Sequence, residues 1–66
     1  MAMNGIVLQN KRASEFYVSN ILEDGGLIYG FKEDAKIFTD ESDVLRLFAS
    51  IEGLQEDCNI AYIKIN

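Results

Sequence analysis

The sequence contains no histidine and no proline, and Cys58 is its only cysteine. One thiol cannot form a disulfide within the chain, and without histidine it cannot assemble a structural zinc site. Nucleophilic catalysis needs a base within reach of the nucleophile, and histidine is the commonest base. Cys58 also begins an apolar segment, where a small buried thiol is expected rather than a reactive one. We therefore predict a protein that is not an enzyme, with no catalytic residue, metal or cofactor.

Long apolar runs are also missing. No stretch approaches the ~18 consecutive apolar residues that a membrane-spanning helix needs. The N-terminus lacks the basic segment followed by a long apolar one that marks a secretion signal. We therefore predict a cytoplasmic protein without a membrane partner, which the single thiol also favours. Met3 is an alternative natural start, in which case Met1-Ala2 is an addition.

Basic residues are few: six Lys and Arg oppose eleven Asp and Glu, which gives a net charge of −5. Free nucleic acid repels such a chain, because affinity for it comes mainly from neutralising phosphates. The paired acids fall in turns and at a helix start, where they are typical of capping and solubility, and none has the spacing of a calcium loop. We therefore predict no direct nucleic-acid partner.

Apolar residues make up 48% of the chain, too many for a disordered protein. There is no repeat, linker or low-complexity tract, so residues 1–66 are predicted to form one domain, with residues 1–3 disordered or not native. A chain this short buries only about 60% of the surface of its unfolded form, so its stability is expected to be marginal. A disulfide within the chain is excluded and a stabilising metal is not expected, so oligomerisation is the remaining common aid.

Alternating apolar residues predict strands at 6–9, 16–22, 27–31 and 58–65, with a short extended segment at 36–38. Asp24-Gly25 indicates a tight hairpin turn. Thr39 or Asp40 caps a helix that ends at Gly53, and its apolar stripe comprises Val44, Leu47, Phe48 and Ile51. The order β-β-β-(β)-α-β predicts an α+β fold, a small antiparallel-rich sheet with one helix packed on one face.

The face opposite the helix is predicted to be unusually apolar. A hairpin register with Leu22 opposite Leu27 leaves that face with the predicted partner-contact residues Tyr17, Ile21, Ile28, Ile60 and Tyr62. Apolar patches of this kind usually mark a contact surface. The alternatives are scattered surface aromatics, a terminal segment folded over them, or base stacking on the tyrosines.

Several short pieces resemble small α+β proteins of unknown function encoded by phages and prophages of Gram-positive bacteria. The pieces are Leu8-Gln9-Asn10-Lys11, Phe16-Tyr17-Val18, Asp34-Ala35-Lys36-Ile37-Phe38, Thr39-Asp40-Glu41 and Ile60-Ala61-Tyr62-Ile63-Lys64-Ile65. Val44 departs from the alanine usual in the first helical turn. The resemblance implies an origin, a fold and, for a phage protein, the host cytoplasm. It implies no site residues.

The leading functional prediction is a protein that acts through protein contact, as a homo-oligomer or docked on a host or phage partner. One alternative is an acidic decoy of a nucleic-acid-binding protein, which needs the acids gathered on one surface. The other is a small ligand-binding domain, which needs a concave pocket with convergent polar groups.

Overall fold

A computed structural model describes residues 3–65 and confirms the α+β fold. The elements are β1 (Met3–Asn10), β2 (Tyr17–Ile21), β3 (Leu27–Gly30), a 3₁₀ turn (Lys32–Asp34), α1 (Glu41–Ser50), α2 (Leu54–Asp57) and β4 (Cys58–Ile65). The strands form one antiparallel sheet in the order β3-β2-β1-β4. Met3 is the first residue of β1, whereas Met1 and Ala2 lie outside the described residues.

The central strand β1 pairs along its whole length with β4. The register runs without a break from Met3 opposite Ile65 to Asn10 opposite Cys58. On its other side β1 meets β2 only at Gln9 opposite Tyr17. The first and last strands therefore lie side by side, and the hairpin of β2 and β3 is attached at one end of β1.

The predicted extended segment at 36–38 fills the gap where β2 turns away from β1. Ile6 and Phe38 exchange two backbone hydrogen bonds of 2.8 Å each. On the other side of the segment, the Lys36 N–H donates to the Val18 carbonyl at 2.9 Å. The segment thus bridges β1 and β2, and its Phe38 side chain is buried in the core.

Asp40, rather than Thr39, caps α1: its Oδ1 accepts from the Ser42 backbone N–H at 3.0 Å and from the Ser42 hydroxyl at 2.8 Å. These bonds satisfy an otherwise unpaired donor of the first turn. Both contacts favour the carboxylate, with the backbone donor the larger cause, and hold the pKa of Asp40 below its usual range.

The predicted helix is interrupted before Gly53. Regular α1 ends at Ser50, and Gly53 takes the left-handed conformation at φ 85°. The chain then makes one further helical turn, α2. Leu54 begins it and is almost completely buried, so this turn closes one end of the core.

The core lies between α1 and one face of the sheet. Its buried members are Ile6, Leu8, Val18, Phe38, Val44, Leu54 and Cys58. The predicted stripe is confirmed: Val44 is fully buried, while Leu47, Phe48 and Ile51 pack against the core from half-buried positions.

Candidate contact surface

The predicted hairpin register is wrong, because β2 contains a bulge. Val18 pairs with Tyr29, but the next pairs are Asn20 with Ile28 and Ile21 with Leu27. One extra residue between Val18 and Asn20 shifts the alternation of side chains by one position. Ile21, instead of Leu22, therefore points to the helix side and packs against the core.

The five predicted contact residues do not share one face. Ile21 and Ile60 pack against the core on the helix side, and Tyr62 lies on that side as well, because it pairs with core residue Ile6. Tyr17 and Ile28 alone lie on the reverse face, next to Val18 and Tyr29, whose side chains point to the core. The prediction of one continuous patch opposite the helix is therefore corrected.

The reverse face is partly covered and partly polar. A Cβ atom built on Gly30 would lie 3.3 Å from the Cβ of Asp34, so the 3₁₀ turn packs on this face against the last residue of β3. Val7 is fully buried although it lies outside the helix-side cluster. Gln9 and Tyr17 share a hydrogen bond of 3.3 Å, and exposed Asn20 and Asn59 lie farther out. The apolar residues of β4 on this face, Ala61 and Ile63, are half-buried, whereas Ile28 is 43% exposed.

Among the side chains that the structure describes, the most exposed large hydrophobic one belongs to β4. Tyr62 is 62% exposed, beside the half-buried Ile60. Leu45 on α1, 54% exposed, lies one helical turn from Phe48. That flank of α1 is opposite the one that lies beside the inserted segment, which carries Arg46, Leu47 and Ser50. The exposed Tyr62 and the half-buried Ile60, both on β4, define what we call the β4-side patch.

The patch borders an open strand edge. Within residues 3–65, no strand pairs with the outer side of β4, which is eight residues long. Folded proteins usually protect such an edge with proline, charge or a bulge. Here the register with β1 has no bulge and the strand has no proline, and Lys64 is its only charged residue.

The backbone groups that face this edge follow from the pairing of β1. Ile6 directs its N–H and C=O to Phe38, away from β4, so its pair with Tyr62 is of the non-hydrogen-bonded type. Tyr62 therefore points its own N–H and C=O outwards. Because the backbone groups of every second residue in a strand point to the same side, Ile60 and Lys64 also direct their N–H and C=O outwards. At Cys58 only the carbonyl is free to face the edge, because the Cys58 N–H donates to the Leu54 carbonyl.

A shallow groove runs along the opposite flank of α1. It consists of two adjoining depressions of about 490 and 590 Å³ that share Ile21, Leu47 and Ser50. Glu23, Asp24 and Glu52 line one end, and Lys36 and Arg46 line the other. The Ser50 hydroxyl donates to the Arg46 carbonyl at 2.6 Å, so the polar group at the shared middle is already bonded within the helix.

The single thiol belongs to the core. Cys58 Sγ lies 3.5 Å from the Tyr29 hydroxyl, either of which can be the donor. Burial raises the pKa of Cys58, and burial together with the Cys58 contact raises the pKa of Tyr29 to about 12. Both groups are therefore neutral at pH 7, and a neutral buried thiol is a poor nucleophile.

No cluster of metal-ligating side chains is found among the described residues. In the same part of the chain, every buried side-chain nitrogen or oxygen has a hydrogen-bond partner. None of the helices within residues 3–65 has the length and apolar content needed to cross a membrane. The geometry that stands out is the open edge of β4 with its neighbouring apolar patch.

No protein-family model, curated protein or solved structure matches this chain. The resemblance to phage and prophage proteins of Gram-positive bacteria therefore stays a prediction.

Proposed function

We propose that this protein is not an enzyme and acts by binding another protein chain along β4. The observation that carries the proposal is the eight-residue open edge of β4 beside a tyrosine that is 62% exposed. An edge strand offers a row of backbone donors and acceptors to an incoming strand, and neighbouring apolar side chains add contact area. Tyrosine is enriched at such interfaces.

The predicted mode of action, contact with another protein, is kept, but the contact surface is the edge of β4 instead of the sheet face opposite the helix. Of the predicted residues, Ile60 and Tyr62 belong to the β4-side patch, and Tyr17, Ile21 and Ile28 do not. A phage or prophage origin, with the host cytoplasm as the place of action, accompanies the proposal as a hypothesis. The genes that neighbour the coding sequence would test that origin.

Neither alternative function is favoured by an observation. The eleven acids are spread over turns and helix ends, whereas a decoy of a nucleic-acid-binding protein needs them on one surface. The groove along α1 is open, and its charged groups stand at the two ends. A small ligand would be held better by polar groups that converge inside an enclosed pocket.

Photo-crosslinking in living cells tests the proposal. We expect benzoylphenylalanine in place of Tyr62 to give covalent adducts with a protein, whether a second copy or another chain. The same probe in place of Ile28, which is exposed on the reverse face, serves as the matched control and should give few adducts. Adducts from the Ile28 position with none from the Tyr62 position would overturn the assignment of the surface.

A further inference from the structure

The open edge of β4 is self-complementary, and we propose that its partner is a second copy of this chain, paired antiparallel to form a continuous eight-stranded sheet. The inference rests on the proposed function and names the partner. A two-fold axis perpendicular to the sheet would bring two β4 strands together with both α1 helices on the same side.

The direction of pairing follows from the charges along β4. The strand is preceded by the exposed acids Glu56 and Asp57, and its other end carries the exposed Lys64. A parallel pair would place lysine beside lysine and acid beside acid. An antiparallel pair places Lys64 of each copy near the acids of the other, which is favourable at both ends of the interface.

The register follows from the outward backbone groups. A two-fold axis at Ala61 pairs Ile60 with Tyr62 and Lys64 with Cys58. This register gives about six hydrogen bonds between the copies, since the Cys58 N–H already donates within α2 and is not available to the other copy. An axis at Ile60 gives about four. An axis at Tyr62 also gives about six, but moves Lys64 away from the acids. Of the three, only the axis at Ala61 gives about six backbone hydrogen bonds and also places Lys64 near the acids of the other copy.

The same register uses the exposed aromatic side chain. Each Tyr62 would lie directly opposite Ile60 of the other copy, on the helix side of the sheet. Aromatic and β-branched residues form favourable cross-strand pairs. Tyr62 is 62% exposed in the single chain, so this pairing would cover part of a largely exposed aromatic side chain.

The first test is the mass of the purified chain in solution across a wide concentration range. A monomer is 7.4 kDa, and we expect a reversible transition to twice that mass. The variant Tyr62→Pro removes an outward N–H, whereas Tyr62→Val removes the ring and keeps the N–H. Proline is tolerated where an edge N–H faces solvent. Losing two interchain bonds should raise the dissociation constant about 30-fold for the proline variant relative to the valine variant.

The second test fixes the register without relying on proline. With the axis at Ala61, the two Ala61 residues face each other as a non-hydrogen-bonded pair with Cα atoms about 4.5 Å apart, close enough for a disulfide. Ala61→Cys should therefore form a disulfide-linked dimer under mild oxidation. Asn59→Cys is the control, because its two copies would be more than about 10 Å apart. The unsubstituted chain, with Cys58 in the core, should form none.

Three results would overturn the inference. They are a wild-type chain that is monomeric at every concentration, a dimer that tolerates Tyr62→Pro as well as Tyr62→Val, and Asn59→Cys linking as readily as Ala61→Cys. A monomer that still gives adducts with a different protein from the Tyr62 position would overturn the second copy as partner while supporting the proposed function. A monomer without any adduct would overturn both.

Discussion

Truncating Ile21 and Ile28 in turn tests the bulged register of the hairpin. The two isoleucines lie in neighbouring strands of one hairpin but on opposite faces of the sheet. Ile21 packs against the helix-side core, and Ile28 is 43% exposed on the reverse face. A register without the bulge would place both on the reverse face, where they should behave alike.

The magnitudes follow from burial. Truncation of a fully buried isoleucine to alanine costs about 2–5 kcal/mol. Ile21 is half-buried and borders the groove, so we expect Ile21→Ala to lower the free energy of unfolding by about 1.5–2 kcal/mol. Ile28→Ala should cost about 0.5 kcal/mol, as at an ordinary surface site. Both lose a β-branched side chain from a strand, so that cost cancels in the difference.

Urea unfolding followed by far-UV circular dichroism measures both variants, at one low protein concentration so that self-association contributes equally. A difference of about 1 kcal/mol corresponds to about 4–8 °C in Tm for a domain of this size. The m-value should stay unchanged, since neither substitution alters the surface exposed on unfolding. Equal losses, or a larger loss for Ile28→Ala, would refute the bulged register.

Three further substitutions test the helix cap, the left-handed glycine and the buried tyrosine. Asp40→Ala should lower the free energy of unfolding at pH 7, because it removes the helix cap. The stabilisation by the wild-type cap is present above the unfolded pKa of Asp40 and is lost as the pH falls through the depressed folded pKa. The unfolding free energies of the two proteins should therefore converge in acid. Gly53→Ala should cost about 1 kcal/mol in urea unfolding, because Gly53 has φ 85° with open space around its Cβ position, and a neutral result would mean that the turn relaxes. The pKa of Tyr29 is raised to about 12 in the folded protein, so the free energy of unfolding of the wild type should fall as the pH rises from 10 to 12. Tyr29→Phe should remove that part of the loss. Identical pH profiles of stability for the two proteins would contradict the buried contact with Cys58.

The features that sequence reasoning predicted are those with local causes. Asp24-Gly25 supplies its own turn geometry: Asp24 Oδ1 accepts from the Gly26 N–H at 2.9 Å, and Gly25 has φ 89°. The apolar spacing of α1 and the carboxylate at its start likewise act within a few residues. The antiparallel α+β class followed from these elements in order.

The features that were missed depend on contacts between distant parts of the chain. The bulge between Val18 and Asn20 leaves no signal of its own in the sequence. β4 is apolar at Ile60 and Tyr62 and also at Ala61 and Ile63, so alternation could not choose which pair faces the core. Pairing with β1 decides it, since Ile6 and Leu8 are core residues opposite Tyr62 and Ile60. The free edge of β4 follows from the strand order, which the sequence left open.

Amide hydrogen exchange along β4, measured at low and high protein concentration, tests most directly whether this edge binds a second copy. The N–H groups of Asn59, Ala61 and Ile63 face β1 and should be protected at both concentrations. Those of Ile60, Tyr62 and Lys64 should exchange quickly in dilute protein and become protected as the concentration rises. Exchange at these three amides that stays fast at every concentration would contradict the account.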